Sequence, residues 1–100
     1  MQVVEDLPVS AIDAAAAFHQ MHLAEAKRLI GQAEALAICL SPASYDHADW
    51  RRTLARDLAR AHAPKRINVV GAASGEPREA MLAYLRNAPG VTGQYLAAHE

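Results

Sequence analysis

Cysteine, aromatic residues and net charge are all scarce in this 100-residue chain. The single cysteine, Cys39, excludes an intramolecular disulfide. Its setting in the apolar run Leu36-Ala37-Ile38-Cys39-Leu40 reads as a buried structural thiol. One Trp, three Tyr and one Phe leave the core to aliphatic side chains and to abundant alanine, which suits closely packed helices. A formal net charge of −1 gives no reason to expect a nucleic-acid or membrane partner. No apolar run approaches the roughly 20 residues of a membrane span. Met1 to Asp6 is acidic and lacks the positive flank of a secretory signal. There is no internal repeat, low-complexity tract or linker. These features point to a single domain over residues 1–100 in a reducing cytoplasm.

What is present reads as strand and helix in alternation. Gln2-Val3-Val4-Glu5 is a short strand that ends before Pro8. Ser10 with Asp13 resembles a capping box for a helix from about Ala11 to Ile30, with Gly31 placed to stop it. Ile12, Ala16, His19, Leu23, Ala26 and Ile30 recur at helical spacing and define its expected apolar side. Leu36 to Leu40 is apolar at every position, as in a parallel strand covered on both faces. After the break at Ser41-Pro42-Ala43-Ser44, Asp46 can cap a helix from about His47 to Ala61. Trp50, Leu54 and Leu58 line one side of that helix, with the arginines mostly elsewhere. Ile67 to Val70 is a third strand closed by Gly71. Pro77 suits the first turn of a third helix through about Asn87. Gln94 to Ala97 is a last strand. Such alternation predicts βαβ units with right-handed crossovers: a three-layer α/β domain with four parallel strands in consecutive order and three helices.

Three segments, in order, resemble the short-chain dehydrogenase/reductase family. Tyr45-Asp46-His47-Ala48-Asp49 and the helix ending Asp57-Leu58-Ala59-Arg60 are similar to the family's Tyr-x-x-x-Lys helix. Arg66-Ile67-Asn68-Val69-Val70-Gly71 resembles its Arg-Val-Asn-x-Val strand. Ala83-Tyr84-Leu85 through Val91-Thr92-Gly93-Gln94 resembles the stretch before its last strand. The resemblance implies a partial Rossmann-like domain holding the fourth to seventh strands of the family's seven-stranded sheet. It places the first two helices on one face and the third on the other. In the family those first two helices pair with their copies into a four-helix bundle.

The family's chemistry needs residues that differ here. Its Gly-x-x-x-Gly-x-Gly turn, which lets the cofactor pyrophosphate approach backbone N–H groups, does not occur. Gly71-Ala72-Ala73-Ser74-Gly75 is the nearest candidate, so Gly71, Ser74 and Gly75 form a possible ligand loop, though a simple turn is the favoured reading. Tyr45 falls at the position of the family's catalytic tyrosine, but Asp49 replaces its lysine. A carboxylate beside a phenol disfavours the phenolate that such catalysis uses. Tyr45 and Asp49 are therefore vestigial, and no catalytic or cofactor-binding residue is expected.

His19, His22 and His47 are the only arrangement that suggests a metal. They lack a recognised ligand spacing, so no metal site is expected. Arg51, Arg52, Arg56, Arg60, Lys65 and Arg66 form a basic stretch without interleaved aromatics, read as a solvated helix face. The expected function is a non-catalytic domain acting by self-association, as a dimer, or by docking on another protein, through Ala15, His19, His22, Trp50 and Leu54. The competing reading is a reduced oxidoreductase, or a nucleotide or small-ligand module completed by another chain.

Overall fold

The computed structural model describes residues 1–98. Its elements run β1 (Gln2–Val4), α1 (Ala11–Met21), α2 (Leu23–Ile30), β2 (Ala35–Leu40), a 3₁₀ turn (Tyr45–His47), α3 (Ala48–Ala61), β3 (Arg66–Gly71), α4 (Glu76–Arg86) and β4 (Tyr95–Ala97). The four strands form one parallel sheet in the order β1-β2-β3-β4, the α/β topology expected from the sequence.

Strand alternation sorts the core into two layers. Leu36, Ile38, Leu40, Ile67 and Val69 meet Phe18, Ala26 and Ile30 of α1 and α2 and Leu54, Ala55 and Leu58 of α3. Cys39 and Val70 meet Leu85 of α4 on the opposite face. That second face has α4 alone among the described residues. A groove of about 410 Å³ remains beside it, lined by Met1, Ala35, Ala37, Leu82 and Leu85.

Among the described residues there are four helices rather than three. The expected single helix from Ala11 to Ile30 breaks at His22, where φ is −126° and ψ is −14°. No proline or glycine marks the break. The carbonyl of His22 accepts from Ala26 N–H at 3.1 Å and also from Gln2 Nε2 at 3.0 Å, so β1 engages the chain at the kink. The buried side of α1 also differs from the expected one. Ala14 and Phe18 face the core, whereas Ile12 is 80% exposed and Ala16 and His19 lie outside.

The caps follow sequence more closely. Ser10 Oγ accepts from Asp13 N–H at 3.2 Å, and Pro77 sits in the first turn of α4. Asp46 does not cap α3; it accepts from Ser44 Oγ within the 3₁₀ turn, and that hydrogen bond holds its carboxyl below the usual range.

The Val91-Thr92-Gly93-Gln94 segment has a clear structural role. Asn68 is buried; its Nδ2 donates to Val91 O at 3.1 Å and its Oδ1 accepts from Gln94 N–H at 3.0 Å. Thr92 Oγ1 accepts from Ile67 N–H at 3.1 Å, and Gly93, at φ +71°, donates to Ile67 O at 2.7 Å. Glycine suits that left-handed backbone. Together these bonds lay the chain against β3 in the register that β4 then continues, with Val69 opposite Tyr95.

Candidate functional site

In a parallel sheet all strand C-termini meet one edge, where the loops to the following helices gather. Here that edge carries the loops after β1, β2 and β3. Two cavities open on it. One, of about 220 Å³, lies between the β1–α1 and β2–α3 loops and is lined by Glu5, Leu7, Val9, Ser41, His47 and Arg51, among others. The other, of about 610 Å³, is lined by Tyr45, Arg52, Met81, Tyr84, Tyr95 and Leu96, among others.

Arg51 anchors this edge. It is only 3% exposed because α3 buries the side formed by Ala48, Arg51, Leu54, Ala55 and Leu58. Its Nη1 donates to Ser41 O at 3.0 Å and to Tyr95 Oη at 3.1 Å. Its guanidinium carbon lies 5.6 Å from the Trp50 ring and 5.6 Å from the Tyr95 ring. Cations are attracted to aromatic faces at such distances. Its Nε is buried without a hydrogen-bond partner, and no carboxylate pairs with it among the described residues.

Arg78 is the second buried guanidinium. Its Nη2 donates to Glu5 Oε2 at 3.0 Å and to Ala72 O at 3.3 Å. Among the described residues, two buried guanidiniums thus stand against one paired carboxylate, Glu5.

The expected solvated basic face is therefore corrected. Arg51 is interior. Lys65 donates to Ile30 O at 2.7 Å, and Arg66 to Leu85 O and Ala88 O at 3.3 Å each. Arg56 and Arg60 remain exposed.

Gly71 is not part of a loop. It ends β3, opposite Leu40 and Ala97, and a Cβ there would lie 2.6 Å from Tyr95 Oη and 2.9 Å from Arg51 Nη1. Glycine gives the Arg51–Tyr95 pair its space. Ser74 is exposed in the turn, and Gly75 takes φ +94° as the N-cap of α4. The first turn of α4 already carries Glu76 and Glu79, which oppose an added anion.

Tyr45 is 82% exposed at the start of the 3₁₀ turn. Asp49, fully exposed, pairs with Arg52 at 3.7 Å, and Arg52 also lies 6.0 Å from the Tyr45 ring. What stands beside the tyrosine is thus an arginine already shared with the carboxylate.

Both ring nitrogens of His47 are engaged. Trp50 Nε1 donates to His47 Nδ1 at 3.1 Å, so Nδ1 is the acceptor and Nε2, 2.8 Å from Val9 O, carries the proton. His19 Nδ1 contacts Ala15 O at 2.8 Å. The three histidines do not converge, and no cluster of three metal-ligating side chains occurs among the described residues.

Of the residues expected at an interface, Ala15 and His22 are half-buried and His19 is exposed. Leu54, 3% exposed, belongs to the chain's own core and cannot face a partner. Trp50 is half-buried against Phe18, with ring centroids 6.0 Å apart. The sequence reading placed Arg51 on a solvated face and weighed His47 only as a metal ligand, and it did not single out Arg78 or Tyr95. Only the spacing Ala48, Arg51, Ala55 and Leu58 could have flagged Arg51.

Cys39 is buried on the α4 face, and burial pushes its thiol up from the ordinary value. It should resist a thiol-specific reagent in the native state and react fully on unfolding. The unfolded chain loses this proton at lower pH than the native one. Stability should therefore fall as pH rises above the ordinary thiol range, and this slope should vanish in Cys39→Ala. Thiol modification with and without urea, and urea melts across alkaline pH, check both; native-state reaction at the unfolded rate would contradict the placement.

A four-stranded parallel sheet between α1, α2 and α3 on one side and α4 on the other defines part of a doubly wound, Rossmann-like fold. A family model described as short chain dehydrogenase-like protein matches residues 2–98, and the chain belongs to that family. No curated protein and no solved structure matches it significantly.

Proposed function

We propose that this chain is a dehydrogenase-like domain that works by association, pairing with a second copy through the outer side of α1, and does not carry out hydride transfer. The observation that carries this reading is the outer stripe of α1. Ile12, Ala15 and Ala16 are its apolar part at i, i+3 and i+4, and the polar His19 follows at i+7, away from the core-facing Ala14 and Phe18. Ile12 is 80% and Val9 94% exposed. Alanines around a projecting isoleucine allow two helices to approach closely. The resemblance to dehydrogenases supports a like partner, since the family pairs through the same helices. A net charge of −1 sets little repulsion between copies.

The C-terminal edge supports the non-catalytic half of the proposal. Asp49 stands where the family has lysine and is held by Arg52, while Tyr45 is out in solvent. Titration of the purified chain with NADH and NADPH should give no binding at micromolar concentrations; micromolar or tighter binding would overturn this half.

Ile12→Glu tests the other half. A two-fold contact sets the substituted side chain in both copies, so the loss of burial counts twice and a carboxylate meets its own copy. At about 1.5–3 kcal/mol for each isoleucine, the expected loss is about 100-fold or more in association. Light scattering across a concentration series measures it. Thermal melting should confirm an intact monomer, because Ile12 lies outside the core. Unchanged association would exclude this face.

A further inference from the structure

We propose that the cavity between the β1–α1 and β2–α3 loops binds a small monocarboxylate, with Arg51 as the residue that takes its charge. The inference is independent of the pairing through α1, which uses a different surface. It rests on Arg51, a nearly fully buried guanidinium lining this cavity without a carboxylate partner among the described residues. A buried charge left uncompensated is costly, and a bound anion supplies the missing partner. Nη1 is committed to Ser41 O and Tyr95 Oη and Nε is sealed from the cavity, whereas Nη2 is neither bonded nor sealed among the described residues and is the donor left for a ligand. A guanidinium N–H donates a short, charge-assisted hydrogen bond to a carboxylate, about twice as strong as one between neutral groups.

The site is built in advance. The Trp50 and Tyr95 rings flank the guanidinium, and Gly71 leaves room for the Arg51–Tyr95 pair. Ligand selectivity follows from the rest of the lining. Glu5 contributes a half-exposed carboxylate, which disfavours a dianion such as phosphate. Leu7, Pro8, Val9 and Pro42 give an apolar wall, and about 220 Å³ admits a body of only a few carbons. His47 has both nitrogens engaged, so it shapes the wall and offers no base for chemistry.

The test is an NMR titration that follows the side-chain Nε–H resonances of the full chain. Sodium butanoate, inorganic phosphate and sodium chloride serve as probes at matched ionic strength. Butanoate should shift the Arg51 resonance saturably with millimolar or tighter affinity. Phosphate should bind at least about tenfold more weakly, and chloride should not saturate. Ala43→Phe places a ring in the cavity from an exposed loop position and leaves Arg51 in place. It should weaken butanoate by about tenfold or more with an unchanged melting temperature. Arg51→Lys keeps the charge but lacks the fork, and should weaken butanoate comparably if it folds. A non-saturating response to butanoate, phosphate binding as tight as butanoate, or undiminished binding in Ala43→Phe would each overturn the proposal.

Discussion

Phe18→Ala is expected to destabilise the chain by about 3–5 kcal/mol, the usual cost of emptying a fully buried aromatic site. Phe18 is wholly buried and belongs to the core layer that joins α1 and α2 to α3 and the sheet. Its ring meets His22 at 5.9 Å and Trp50 at 6.0 Å, so its removal leaves a void between three helices. The surrounding groups are held on separate elements and can close that void only in part. Domains of this size have a total stability of roughly 5–15 kcal/mol, so much of the margin goes with one side chain. Urea denaturation followed by circular dichroism measures it. Ile12→Ala, on the same helix, should cost the monomer less than about 0.5 kcal/mol, because Ile12 is exposed. Similar losses for the two substitutions would contradict the assignment of inner and outer sides of α1.

Gly71→Ala has the second largest expected effect, about 2–4 kcal/mol. The added methyl would stand 2.6 Å from Tyr95 Oη, 2.9 Å from Arg51 Nη1 and 3.1 Å from Tyr95 Cε1. A flexible side-chain tip on the surface would swing away at little cost. Arg51 cannot, because it is buried and bonded to Ser41 O, and moving Tyr95 Oη breaks its bond to the guanidinium. Overpacking and the loss of a hydrogen bond to a buried charge therefore add. Tyr95→Phe removes the atom nearest the new methyl. The double variant Gly71→Ala, Tyr95→Phe should be more stable than the sum of the single losses allows, by about 1 kcal/mol or more. Denaturant melts of the four chains complete the cycle. Simple additivity would show that the Gly71 Cβ and the Tyr95 hydroxyl do not compete for space.

The strands were legible because parallel pairing leaves a strong mark. Leu36 to Leu40 must face apolar layers on both sides, and no solvent-facing position interrupts it. Asn68 and the Thr92-Gly93-Gln94 turn could be matched to a family pattern, but their joint task was not visible until β3 and the turn stood together. Alanine concealed the orientation of α1. Ala11, Ala14, Ala15, Ala16 and Ala17 suit either side, so the choice rested on Ile12 against Phe18, and the larger ring took the interior. At the break, the His22 carbonyl is met by Gln2, twenty residues away, a contact that local reading cannot reach. Arg51 was hidden by its neighbours. It sits in a run of arginines most of which reach water or cap carbonyls, and it differs from them only because α3 sets Ala48, Arg51, Ala55 and Leu58 on one side. Tyr95, its partner, comes from one of the two shortest strands, and the less marked of them.

Sedimentation equilibrium of the unmodified chain, at several concentrations through tens of micromolar, tests association most directly. An extensive helical interface should be populated in that range. The account predicts a concentration-dependent rise from monomer to dimer mass, abolished in Ile12→Glu; a wild-type chain of monomer mass at every concentration would contradict it.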